Sequence, residues 1–193
     1  MPSINVRDRR ARATALRFGA LGLLGALLVT GTARAAATTG PPSPEPGTWQ
    51  AHQLEFQFVG FTTTYSCDGL ESKLRLLLGR LGARPGFSVE GFGCSRGPGL
   101  PDQFARARLN FASLQPTAAA DAPSSGAWKT VEFAPHRPYP LDMGDCELIE
   151  QVRDKLLPLF TTREVRNQVS CIPHQMPANF SLSFEVFAPP GKP

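Results

Sequence analysis

Two periods of hydrophobic recurrence take turns along this chain. Leu70, Leu74, Leu77, Leu78 and Leu81 fall at i, i+4, i+7, i+8 and i+11, the single apolar stripe of an amphipathic helix. Asp68 with Glu71 three residues on reads as a capping-box-like start, and Gly82 suits the stop. Ile149, Val152, Leu156, Leu157 and Phe160 form a second stripe, with Asp145 as N-cap and Pro158 placed to end or kink the helix. Elsewhere the period is two. Leu54, Phe56 and Phe58 alternate with Glu55 and Gln57, Ala107, Leu109 and Phe111 with Arg108 and Asn110, and Leu182, Phe184 and Val186 with Ser183 and Glu185. Each run reads as a strand with one packed and one wet face. Phe87-Ser88-Val89 opens a glycine-interrupted strand expected to bulge near Gly91, and Val165, Val169 and Cys171 are expected to share a face of another.

The order of these elements recurs. Leu54-Glu55-Phe56, Cys67-Asp68-Gly69-Leu70-Glu71, Cys94 and Leu109-Asn110-Phe111 are followed by Val131-Glu132-Phe133, Cys146-Glu147-Leu148-Ile149-Glu150, Cys171 and Leu182-Ser183-Phe184. The cysteine spacings in the two sets are 27 and 25 residues. An internal duplication explains this; chance likeness of two short strand-helix-strand segments is the alternative. Each half reads as β-α-β-β, and the fold class expected is α+β: a two-layer sandwich with a mixed sheet and both helices on one face. The first half spans 49–114 and the second 128–189, with a Pro/Ala/Ser-rich linker at 115–127 and a tail at 190–193.

The segment before residue 49 changes the picture of composition. Arg7, Arg9, Arg10, Arg12 and Arg17 precede an apolar run from Phe18 to Val29, then Ala33-Arg34-Ala35, the order of a secretory signal peptide over residues 1–35. The run is shorter than the roughly 20 residues that span a bilayer, so no membrane span is expected in the mature form. Arg9-Arg10 admits twin-arginine export, which Asp8 before the pair and Ala11-Arg12-Ala13-Thr14 after it match poorly. Residues 36–48 are poor in anchoring side chains and read as a disordered lead-in. The leader carries six Arg and one Asp, so the formal charge of +4 becomes −1 without it, and nucleic acid is rejected as a partner.

Export puts Cys67, Cys94, Cys146 and Cys171 in an oxidising compartment, where two disulfides are expected. A right-handed β-α-β crossover brings the helix start and the end of the second strand to one sheet edge, which pairs Cys67 with Cys94 and Cys146 with Cys171. Cys171-x-x-His174 has metal-like spacing, but thiolate sites compete with disulfide formation after export, so no metal and no cofactor are expected. The acids Asp68, Glu71, Asp145, Glu147 and Glu150 sit at predicted helix starts, where carboxylates satisfy free N–H groups and the helix dipole. His52, His136 and His174 lie near no nucleophile or metal motif. Cys94-Ser95-Arg96-Gly97-Pro98-Gly99 admits a ligand site, with Arg96 and Gly97 facing an anion and His174 nearby; a tight stapled turn explains the same glycines.

The words Tyr65-Ser66-Cys67-Asp68-Gly69-Leu70-Glu71, Gly93-Cys94-Ser95-Arg96-Gly97-Pro98 and Gly144-Asp145-Cys146-Glu147-Leu148-Ile149-Glu150 resemble those of a family of uncharacterised exported proteobacterial proteins with a duplicated cysteine-containing unit. The resemblance covers most of the mature chain and implies export, with no activity or ligand attached. The leading expectation is a non-catalytic periplasmic or secreted module that binds another envelope or secreted protein. The alternative is an exported hydrolase whose site is assembled from distant residues, for which a cleft joining His136 or His174 to a carboxylate would speak.

Overall fold

The computed structural model describes residues 43–93, 99–119, 121–176 and 179–190. Their elements run β1 (Glu45–Gln57), α1 (Cys67–Arg80), β2 (Ser88–Phe92), β3 (Arg106–Pro116), β4 (Ser124–Phe133), α2 (Cys146–Lys155), β5 (Thr162–Gln168) and β6 (Ser181–Ala188). The expected leader lies outside the described residues, as do Cys94, Arg96 and Gly97. β1 starts inside the expected lead-in, where Glu45–Gly47 pair with Ser124–Gly126 of β4. The linker between halves shrinks correspondingly, since β3 reaches Pro116 and β4 starts at Ser124.

The strands form one sheet in the order β2-β3-β1-β4-β6-β5. It is an α+β sandwich, but the sheet is antiparallel at every pairing rather than mixed. The reason is topological. β3 inserts between β1 and β2, and β6 between β4 and β5, so the two parallel strands joined by each helical crossover are never neighbours. Both halves seat their elements in this same order.

The halves join at a narrow seam. β1 and β4 pair only through three residues each at their starts, and then part. At roughly 3.3 Å per residue, their far ends would stand about 63 Å apart on a flat sheet. Instead the loops beyond those ends touch, so the sheet folds on itself about the seam. Gly126 makes the seam feasible: a Cβ there would lie 2.5 Å from the Phe187 ring and 2.7 Å from Leu114 Cδ2.

One continuous core serves both halves. The helical stripes are buried as their periodicity requires, with Leu70, Leu74, Leu77, Leu78 and Leu81 of the first and Ile149, Val152 and Leu156 of the second wholly covered. α2 stops at Lys155, and Pro158 sits in a following 3-10 turn. The alternating faces of β3 and β6 are also as expected, Ala107, Leu109 and Phe111 and Leu182, Phe184 and Val186 facing the core.

Two strands depart from the pattern. β2 pairs with β3 in unbroken register and has no bulge at Gly91. The glycine serves another purpose: a Cβ there would fall 2.8 Å from Cys67 Cβ, so α1 begins directly against it. In β5 the register shifts between Arg163 and Arg166, with Glu164 at φ +54°. The shift breaks the alternation and leaves Val165 48% exposed while Val169 is buried, so the two do not share a face. Apart from Val165 this edge strand is polar, and a bulged polar edge resists pairing with other chains.

Candidate functional site

The acids at the helix starts are committed to tertiary bonds. Ser66, not Asp68, caps α1, its Oγ accepting the Gly69 N–H at 3.0 Å. Glu71 instead holds Arg75 and the Gly91 N–H, which keeps its carboxyl below the usual range, the Arg75 hydrogen bond being the main cause. Asp145 stands at the N-cap position of α2 without capping it. Its carboxylate accepts from the Tyr65 hydroxyl, from Lys73 Nζ at 2.7 Å and from the Asp142 N–H at 2.7 Å. Burial, with the Asp145 charge second, pushes the Tyr65 hydroxyl far up, so it remains a donor.

Glu147 is buried and takes the consecutive N–H groups of Phe61, Thr62 and Thr63 at 3.1–3.3 Å. Gln151, one turn on, accepts the Val59 N–H at 3.1 Å and donates to the Val59 carbonyl at 2.9 Å. The start of α2 thus clasps the loop between β1 and α1. Helix-start position alone suggested capping. A pairing partner some 86 residues away carries no local signal.

The same clasp gathers the loops. Cys146 is bridged to Cys171, with Cα atoms 6.0 Å apart, which ties the loop after β5 to the start of α2. Cys67 is also disulfide-bonded; the expected partner Cys94 lies outside the described residues. Gly60 donates to the Gln103 carbonyl, Tyr65 and Asp102 form a β-bridge, and the His174 ring meets Phe61 edge-on at 6.2 Å. His174 is exposed, at φ +63°, and its ring contact is with an aromatic side chain rather than a carboxylate. Around these contacts stand exposed apolar side chains: Phe61, Leu100, Phe104, Tyr139, Met143, Ile172 and Met176. They occupy the loops that follow β1, β2, β4 and β5.

The remaining histidines lie elsewhere. His52 Nε2 is 2.8 Å from Ser113 Oγ, but that hydroxyl is fully buried and donates to the Leu159 carbonyl at 2.7 Å. The Gln115 amide donates to the same oxygen at 3.0 Å, and a serine so buried and bonded is closed to an incoming substrate. His136 lines a shallow cleft of about 300 Å³ with Arg80, Lys129, Glu132 and Arg137. The Glu132 carboxylate is engaged there, by Arg137 at 3.0 Å and by Ser181 at 3.4 Å. Among the described residues no group of three or more His, Cys, Asp or Glu is placed to hold a metal ion, and no helix is long and apolar enough to cross a membrane.

Fold and site together define a disulfide-containing antiparallel α+β sandwich whose buried acids lock its two halves. Compared with known proteins, the chain matches no protein-family model, no curated protein and no solved structure.

Proposed function

We propose that this chain is an exported, non-catalytic module of the periplasm or the extracellular space that binds another envelope or secreted protein through the loop end of its sheet. One observation carries the reading. Of the eight large apolar side chains exposed among the described residues, all but Val165 stand on the four loops that follow β1, β2, β4 and β5. Apolar groups gathered on positioned loops, at the cost of leaving them in water, mark a contact surface. The Cys146–Cys171 bridge supports an oxidising compartment, and the leader-like first 35 residues support export.

A photo-crosslinking residue placed at Phe61 or Ile172 in cells should give one shared adduct with a second protein. Gln53 and Glu55, on the wet face of β1, should give none. Equal crosslinking from loop and sheet positions would overturn the docking surface. N-terminal sequencing of the exported product should begin at Ala36, and recovery of the intact leader in membranes would overturn the export reading.

The hydrolase reading has one observation in its favour, the presence of His136 and Glu132 on one cleft. It requires Glu132 to leave Arg137, so Arg137→Gln should raise any hydrolytic activity that the chain possesses.

A further inference from the structure

The cleft beside β4 collects like charges from three separate elements. Arg80 comes from the last turn of α1, Lys129 from β4, and His136 and Arg137 from the loop after β4, with Glu132 the sole carboxylate in the lining. Leaving His136 out of the count, three cations against one anion leave two positive charges in excess. Among the described residues neither Arg80 nor Lys129 takes part in an ion pair. The chain after its leader is net negative, so this excess is local and does not follow from overall basicity. The helix dipole accounts for Arg80 at a C-terminus. It does not account for Lys129 or Arg137.

The wall that carries His136 and Arg137 is held in place. The Ala134 N–H donates to the Arg137 carbonyl and the Arg137 N–H to that of Ala134, both at 2.9 Å, and the His136 N–H donates to the Leu141 carbonyl at 2.7 Å. His136 is kept at φ +65°, a conformation unfavourable for a side-chain-bearing residue. A basic wall fixed before any ligand arrives loses little entropy on binding. Beyond Gly126, β4 has β6 as its strand partner on one side only among the described residues, and the cleft runs along the other. Val131 and Pro138 add an apolar margin.

We propose that this cleft binds a phosphate dianion, free or as the monoester of a small molecule. Two excess charges match a dianion, a guanidinium grips phosphate oxygens in pairs, and the volume lies at the small end of ligand pockets. The loop-end docking surface plays no part in this proposal, so either reading can fail alone.

Inorganic phosphate titrated into the isotopically labelled, oxidised chain at low ionic strength should shift the amides of Lys129–Glu132, His136 and Arg137 along one saturating curve. Glycerol phosphate should compete for the same amides; tighter binding than inorganic phosphate assigns the site to an ester, and weaker binding assigns it to the free ion. Arg80→Gln and Lys129→Gln should each weaken binding about tenfold, as expected for loss of one charge-assisted contact. Arg108→Gln, on the opposite face of the first half, should leave it unchanged, which separates a site from general charge. Unaltered amide positions outside the cleft confirm that the variants fold. Linear, unsaturable shifts, or equal affinity in the Arg80→Gln/Lys129→Gln double variant, would overturn the proposal.

Discussion

Removing the Glu147 carboxylate separates two roles that its place in the sequence does not distinguish. As a helix-start acid it would contribute about 0.3–1 kcal/mol through the dipole. The structure gives it more to do, because three backbone N–H groups of the first half converge on it from within 3.3 Å. Hydrogen bonds to a charged group are worth about 1.5–3 kcal/mol each, but Phe61 is half exposed, and freed amides near the surface recover part of that from water. The loop has little slack, since Thr62 Oγ1 is already buried without a partner among the described residues. Glu147→Ala should therefore lower stability by about 3–5 kcal/mol, and Glu147→Gln, which keeps one acceptor, by about 2 kcal/mol. Glu150→Gln is the control: its partner Arg153 is 3.9 Å away on a partly exposed face, so the change should stay within about 0.5 kcal/mol. Guanidinium unfolding of the oxidised protein measures all three, and hydrogen exchange at Phe61, Thr62 and Thr63 shows where protection is lost. A Glu147→Ala loss below about 1 kcal/mol, with those three amides still protected, would reduce the residue to a helix-start acid and refute the clasp.

Leu74→Asp and Val152→Asp should each cost several kcal/mol in thermal unfolding, whereas Ser72→Asp on the exposed face should fall within about 0.5 kcal/mol. Gln151 is off the apolar stripe yet not neutral: Gln151→Ala should cost about 1–3 kcal/mol, because Val59 loses bonds at both its N–H and its carbonyl. Replacing Cys146 and Cys171 together by Ala should lower stability by about 3.5 kcal/mol, the chain entropy of a loop of 25 residues, read as a shift in denaturation midpoint. Burial lowers the pKa of His52 below its ordinary 6.5, so the unfolded chain takes up the proton first. The melting temperature should fall as pH drops through about 6.5, and His52→Gln should flatten that slope; an unchanged slope would place its origin elsewhere.

The helical stripes and the strand alternations were legible because they are local. A period of 3.6 or 2 is written into neighbouring residues, and burial of one face follows wherever that element finally packs. Leu70 to Leu81 and Ala107 to Phe111 therefore needed no knowledge of their partners. The Cys146–Cys171 pairing was legible for a related reason, since a single crossover holds both cysteines at one sheet edge. Where the pattern was interrupted, tertiary contact decided. Gly91 reads as a bulge but marks the point where Cys67 sits against β2, and the bulge that does occur, at Glu164, has no glycine to announce it. Strand order was likewise out of reach: local alternation says that β3 is half-buried, not that it inserts between β1 and β2 and makes the whole sheet antiparallel. Asp145 and Glu147 show the limit most plainly. A carboxylate at a helix start is satisfied equally well by its own helix or by another backbone, and the choice fell to Tyr65, Lys73 and the Phe61–Thr63 amides only because the seam at Gly47 and Gly126 folds the two halves together.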